Sequence, residues 1–308
     1  MEFIMKSAPA RKAVEATLEN IKKRIPAYGE LADRFGPLFL LKASLCEALV
    51  KKPLVVPEVV ASKISAEVPL LAGKDMSLWT NEFVEIADKM FPILAESLKL
   101  DKKTQDILHE YLADSDNVLG LVQARIDGNW KHFENTSKQL GISPDHALLY
   151  ISENVCTPVF SAIAELLGKS LSSHSWEQGN CPVCGSSPSI SQLSPVEVTD
   201  LDNLVSGGGK KFLHCSLCGH DWRFKRNACA ACGNDENESR EIFYVDDVKH
   251  ERIEVCHKCG MYCLSIDMRE CDVIPQLDVA QMGLIHLDIY AHNNKLHPIT
   301  PTIWNSLD

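Results

Sequence analysis

The chain has 308 residues, 45% of them apolar and 24% charged, with a formal net charge of −11, a composition that excludes a disordered chain and suits one large domain or two of ordinary size. It contains no run of eighteen apolar residues, and Met1–Ala10 lacks a basic start followed by an apolar core. Neither a membrane span nor an export signal is therefore expected, and cytoplasmic residence is the expectation. The acidic balance argues against general nucleic-acid binding, which calls for a basic field.

In chain order, Val14, Leu18, Ile21 and Ile25 recur at helical spacing and stop at Pro26. A second helix is predicted to open near Pro37 and run through Leu41 and Leu45 to Leu49. Ser77 is the expected cap of the next, which carries Phe83, Ile86, Met90 and Ile93. Val118, Val122, Ile126, Trp130 and Phe133 make a further stripe. Ser143 and Pro144 form an N-cap and first-turn pair ahead of Leu148, Ile151, Val155, Val159 and Ile163, with a kink expected at Pro158. These stripes are core-packing faces, and Cys46 and Cys156 read as buried small hydrophobes. His109, His132 and His146 share no metal-ligand spacing.

After Ser172 the pattern changes. Gly, Ser, Asn and Pro become frequent, Ser172–Asn180 reads as a linker, and Gly207-Gly208-Gly209 marks a turn or loop. Strand candidates include Phe243–Val245, Arg252–Val255 and Met261–Ile266. Asp278–Ala291 reads as a closing helix, and the tail from Asn293 is expected to lie along the surface. The fold class is thus α+β: an all-helical domain over 1–172, two tandem rubredoxin-like or zinc-ribbon modules over 173–226 and 227–275, and a short C-terminal helix with its tail over 276–308.

Of twelve cysteines, ten fall between Cys181 and Cys271. Eight form four pairs, Cys181/Cys184, Cys215/Cys218, Cys229/Cys232 and Cys256/Cys259, and a glycine follows each pair: Gly185, Gly219, Gly233 and Gly260. Two intervening residues let a tight turn aim both sulfurs at one ion. The next position tends to positive φ, which glycine adopts without steric cost, and N–H groups of the turn point at the sulfurs. Sequential pairing is preferred. Cys181, Cys184, Cys215 and Cys218 would make one tetrahedral site and Cys229, Cys232, Cys256 and Cys259 the other, with 30 and 23 residues between the knuckles of each. A crossed arrangement stays open. Such shells take zinc or a single iron and leave no coordination position for catalysis.

Between Trp176 and Cys271 there are ten Lys and Arg against fifteen Asp and Glu, and each divalent ion held by four thiolates adds about −2. Lys210, Lys211, Arg223, Lys225 and Arg226 flank the second and third knuckles, as a partner-binding patch or as an ordinary solvated face. His214, His220 and His257 sit beside knuckles without being needed as ligands, and Cys263 is expected to alternate off its strand. No Ser-His-Asp order, P-loop, dinucleotide fingerprint or His-Glu-x-x-His helix is present, so no catalytic residues are expected.

The segments Trp176-Glu-Gln-Gly-Asn-Cys-Pro-Val-Cys-Gly-Ser-Ser-Pro188, His214-Cys-Ser-Leu-Cys-Gly-His-Asp-Trp222, Asn227-Ala-Cys-Ala-Ala-Cys-Gly233 and Arg252-Ile-Glu-Val-Cys-His-Lys-Cys-Gly260 resemble the FdhE family of formate dehydrogenase accessory proteins. So do Leu277-Asp-Val-Ala280 and Leu287-Asp-Ile-Tyr-Ala291, which extends the resemblance over about 175–292. It implies tandem rubredoxin-like modules, iron as the metal, and binding to the catalytic subunit of a molybdenum- or tungsten-containing formate dehydrogenase during cytoplasmic assembly. All eight paired cysteines match the family pattern; no role transfers to Cys263 or Cys271. The competing readings are a zinc-ribbon adaptor for nucleic acid or another protein, and a rubredoxin-like redox protein.

Overall fold

The computed structural model describes residues 10–143, 146–195 and 209–306; Pro144 and the first two glycines of the Gly207–Gly209 run lie outside them. The chain divides into two compact units. One comprises Met1–His174 with the knuckle tips Val183–Gly185 and Leu217–Gly219; the other comprises Ser175–Pro182, Ser186–Ser216 and His220–Asp308.

The first unit is helical. Its elements are α1 (Arg11–Arg24), α2 (Gly29–Val50), α3 (Ala61–Ser65), α4 (Thr80–Ser97), α5 (Lys102–Leu112), α6 (Ser115–Ile126), α7 (Trp130–Leu140) and α8 (His146–Leu171). The stripe of α1 buries Val14, Leu18 and Ile21, and the helix ends before Pro26. Helix α2 opens eight residues before Pro37, which lies inside it. A proline there removes one amide bond to the residue four back and costs about 3 kcal/mol. Pro37 and Asp33, whose carbonyl loses its partner, are both exposed, so water can satisfy that carbonyl. Pro92 and Asp88 repeat the arrangement in α4.

Asp75 rather than Ser77 caps the lead into α4: its side chain accepts from the Ser77 N–H at 2.9 Å and starts a 3-10 turn, Met76–Trp79. Asp101 caps α5 in the same way, accepting from the Thr104 N–H at 3.0 Å. The stripe from Val118 to Phe133 does not run through one helix. Gly128, at φ +66°, ends α6, and Trp130 is left exposed over Arg125, whose guanidinium carbon lies 5.3 Å from its ring centroid. Helix α8 is long and apolar enough to cross a membrane, but most of its apolar stretch is buried inside the protein. It packs as a core helix, with Phe160 edge-on to Phe83 at 5.7 Å between ring centroids. Cys46 and Cys156 are buried, and burial pushes both thiols up to about 12.

The second unit is built on one mixed sheet of β1 (Pro188–Leu193), β2 (Lys211–Cys215), β3 (Asp221–Arg223), β4 (Arg240–Val245), β5 (Val248–Cys256), β6 (Met261–Asp267) and β7 (His297–Pro298). The order is β3-β2-β1-β6-β5-β4, with β7 beside β6. One plan occurs twice: knuckle, strand, antiparallel strand running into the next knuckle, strand. The two copies join through the parallel pairing of β1 with β6, Ile190 opposite Leu264.

Strand alternation gives the sheet two unlike faces. Ile190, Ile253, Val255, Tyr262, Leu264 and Ile266 form a core with residues of α9 (Leu277–Ala280) and α10 (Ile285–Asn293). These two short helices, separated by a 3-10 turn at Gln281–Leu284, replace the single closing helix expected over Asp278–Ala291. The tail is tied to the sheet: the Ile299 N–H donates to the Tyr262 carbonyl at 3.0 Å and the Thr300 hydroxyl to the Pro188 carbonyl at 2.8 Å.

Candidate metal centres

Each knuckle is made by a local turn. The N–H of the first cysteine donates to the carbonyl five residues on: Cys181 to Ser186 at 2.9 Å, Cys215 to His220 at 3.0 Å and Cys229 to Asn234 at 2.8 Å. In the fourth knuckle Cys256 and Met261 face each other across β5 and β6. Closing so tight a loop puts the residue after the second cysteine in the left-handed region. Gly185, Gly219, Gly233 and Gly260 have φ of +81°, +63°, +71° and +71°, where a side chain would be strained.

Among the described residues the eight cysteines converge in two groups, Cys181, Cys184, Cys215 and Cys218, and Cys229, Cys232, Cys256 and Cys259. Within each group one sulfur per residue lies within 4.8 Å of the other three. This is the sequential pairing. In the second group the Sγ of Cys229 is 3.8 Å from that of Cys259, and Cys232 is 3.7 Å from Cys256. A disulfide needs about 2.05 Å. A tetrahedral ion with metal–sulfur bonds of about 2.3 Å sets its sulfurs about 3.8 Å apart, so the donor set fits a four-thiolate ion and leaves no open position.

The backbone prepares these sulfurs for negative charge. Burial acts to raise the Cys256 thiol, but N–H groups of Cys259 and Lys258 directed at its sulfur bring it down to about 7. Burial and the neighbouring sulfurs push Cys259 up to about 12. Four thiols this close cannot all ionise without a cation among them. Asn234 supports the second group from outside, its amide 3.8 Å from the Cys256 sulfur and 2.5 Å from the Ser239 hydroxyl. Asn234 is not among the residues expected from the cysteine pattern, although it stands directly after Cys-x-x-Cys-Gly.

The histidines beside the knuckles belong to neither group. His214 is clamped between carboxylates, Nδ1 2.9 Å from Asp221 and Nε2 3.1 Å from Asp278. Burial works against its charge, yet the two carboxylates raise its pKa well above the usual histidine value. His257 Nε2 meets Glu241 at 2.8 Å. Cys263 is buried on β6, and the Cys271 thiol donates to the Asp267 carbonyl at 3.5 Å; both lie outside the groups.

The basic flank is smaller than its sequence suggests. Lys211 is only 3% exposed and is paired with Glu254, which Arg240 and the Ser191 hydroxyl also reach at 3.4 and 3.1 Å. Lys225 is paired with Asp235.

No protein-family model matches the chain. It is 34% identical to an FdhE homologue of Aquifex aeolicus over 116 residues, 38% of each chain. It is 34% identical to one from Shewanella baltica (strain OS185) over 112 residues, 36% of this chain and 33% of that one. With the FdhE protein of Salmonella arizonae the identity is 26% over 184 residues, 56% of this chain and 55% of that one. The chain thus spans from a third to about half the length of these curated relatives. The crystal structure of the FdhE protein from Pseudomonas aeruginosa has the same fold, with a TM-score of 0.60 over 97% of this chain and 96% of that one at 18% identity. The chain is thus similar in sequence to FdhE proteins over part of its length, and it shares the fold of one of them over nearly all of it.

Proposed function

We propose that this chain is a non-enzymatic, cytoplasmic accessory protein for formate dehydrogenase that binds the catalytic subunit while that enzyme is being assembled. The observation that carries this reading is the pair of four-thiolate groups in a chain similar to FdhE proteins in part of its sequence and in its fold. Cys181, Cys184, Cys215 and Cys218 ligate one ion, and Cys229, Cys232, Cys256 and Cys259 the other, within modules spanning 173–226 and 227–275. An ion in such a shell supplies a fixed cross-link and a local negative charge. The cysteines hold it, the knuckle N–H groups stabilise the sulfurs, and the closed shell keeps substrate away from the metal. The resemblance favours iron; four thiolates take zinc as readily. Thiolate-to-iron absorption in protein purified without oxygen separates the two. A nucleic-acid adaptor is the weaker reading, because Lys211 and Lys225 are already committed to carboxylates.

Co-purification from cells expressing a formate dehydrogenase catalytic subunit tests the proposal. Recovery of that subunit with the intact chain, in amounts that fall when Cys229 and Cys232 are both replaced by Ser, is the expected result. No recovery under conditions where the subunit is present and immature would overturn it.

A further inference from the structure

The two cysteine groups share their turns and their spacing and differ in how far they are covered. In the first group all four cysteines are buried. The residues between them help close it off: Val183 and Leu217 are fully covered, and Pro182 is buried beside them. In the second group Cys232 is exposed and Cys259 half-buried, whereas Cys229 and Cys256 are buried. The intervening residues follow suit, with Ala231, His257 and Lys258 exposed. The contrast is written in the sequence: the covered knuckles carry Pro-Val and Ser-Leu between their cysteines, the open ones Ala-Ala and His-Lys. Apolar Val and Leu gain by leaving water, while Lys keeps its charge in it.

Resting on the two-metal reading above, we infer that the second centre is the exchangeable one. Cys232 and Cys259 are the ligands through which a soft-donor carrier, a thiolate or a comparable chelating group, loads or withdraws an ion, while the first centre keeps its ion as a permanent part of the fold. Ligand exchange needs a competing donor to reach the ion on the side of the ligand it displaces. Cys232 Sγ gives up one bond as the competitor forms one, and the freed sulfur takes a proton from water, so no electron is transferred. Cys229 and Cys256 retain their bonds until last because both are buried, out of reach of a competing donor. In the first group all four sulfurs are covered, so exchange there requires local opening of the fold.

The test uses the full chain loaded with two zinc ions under anaerobic conditions and mixed with excess 4-(2-pyridylazo)resorcinol. A parallel sample receives pulses of N-ethylmaleimide, and labelled cysteines are located by peptide mass mapping. One equivalent of zinc is expected to leave at least tenfold faster than the other, with early label on Cys232 and Cys259 and none on Cys181, Cys184, Cys215 or Cys218. Cys232→Ser should abolish the fast equivalent and leave the slow one, with an unchanged circular dichroism spectrum; if that variant does not fold, the two rates in the parent chain still decide. Two ions leaving in a single phase, or early label in the first group, would overturn the inference alone. A chain that takes up fewer than two zinc ions would overturn the two-centre reading and this inference with it.

Discussion

Asp288 lies beneath the sheet with one carboxylate oxygen accepting from the Tyr262 hydroxyl at 2.7 Å and the other without a partner. Burial raises its pKa to about 6. Between about pH 4 and 6 the folded chain therefore holds a proton that the unfolded chain has lost, so stability falls as pH rises through this window and stays lower above it. The loss is on the order of 3 kcal/mol. Asp288→Asn should gain about 1 kcal/mol at pH 7.5, since the amide leaves one donor unpaired, and nothing at pH 4. Thermal unfolding at both pH values checks this, and an equal effect at the two would contradict it. Lys211 is the opposite case, a buried cation neutralised by Glu254. Lys211→Met strands that carboxylate with Arg240 and Ser191 alone and should cost roughly 3 kcal/mol in chemical denaturation. A variant as stable as the parent would show that Arg240 compensates fully. Neither pair was legible in the sequence, because Asp288 stands 26 residues from Tyr262 and Glu254 stands 43 from Lys211. The cysteine pairs were legible because a knuckle is a local object: turn, glycine and both sulfurs lie within five residues.

At the scale of elements the same distinction holds. Helices α1 and α8 showed in their apolar stripes because packing on one face imposes the spacing that sequence displays. Helix α5 buries Leu108 and Leu112 and was not among the predicted elements, because two apolar positions make no stripe. Pro37 misled, since a proline marks a helix end only where its missing bond cannot be met by water. The parallel pairing of β1 with β6 could not be read, because nothing local records which strands of two repeated units will adjoin. One close approach also joins elements: a Cβ added at Gly179 would fall 1.8 Å from the Ala230 carbonyl oxygen. Gly179→Ala should therefore push the third knuckle aside and reduce zinc retained by the second centre, measured as metal per chain after desalting. Full retention would show that the 175–180 stretch yields instead.

For the molecule as a whole, the formal charge of −11 understates its acidity once the cysteines hold metal, because four thiolates around a divalent ion leave about −2 at each centre. Acidity combined with closed shells suits recognition of another protein better than chemistry at the metal or binding to a polyanion. The central claim is that eight cysteines make two separate, sequentially paired centres. Metal content per chain, compared between the parent and a variant in which Cys181 and Cys184 are both Ser, tests it most directly. The account predicts two ions in the parent and one in the variant, with Cys229, Cys232, Cys256 and Cys259 still protected from alkylation. Loss of both ions with alkylation of all four, or retention of both, would contradict it.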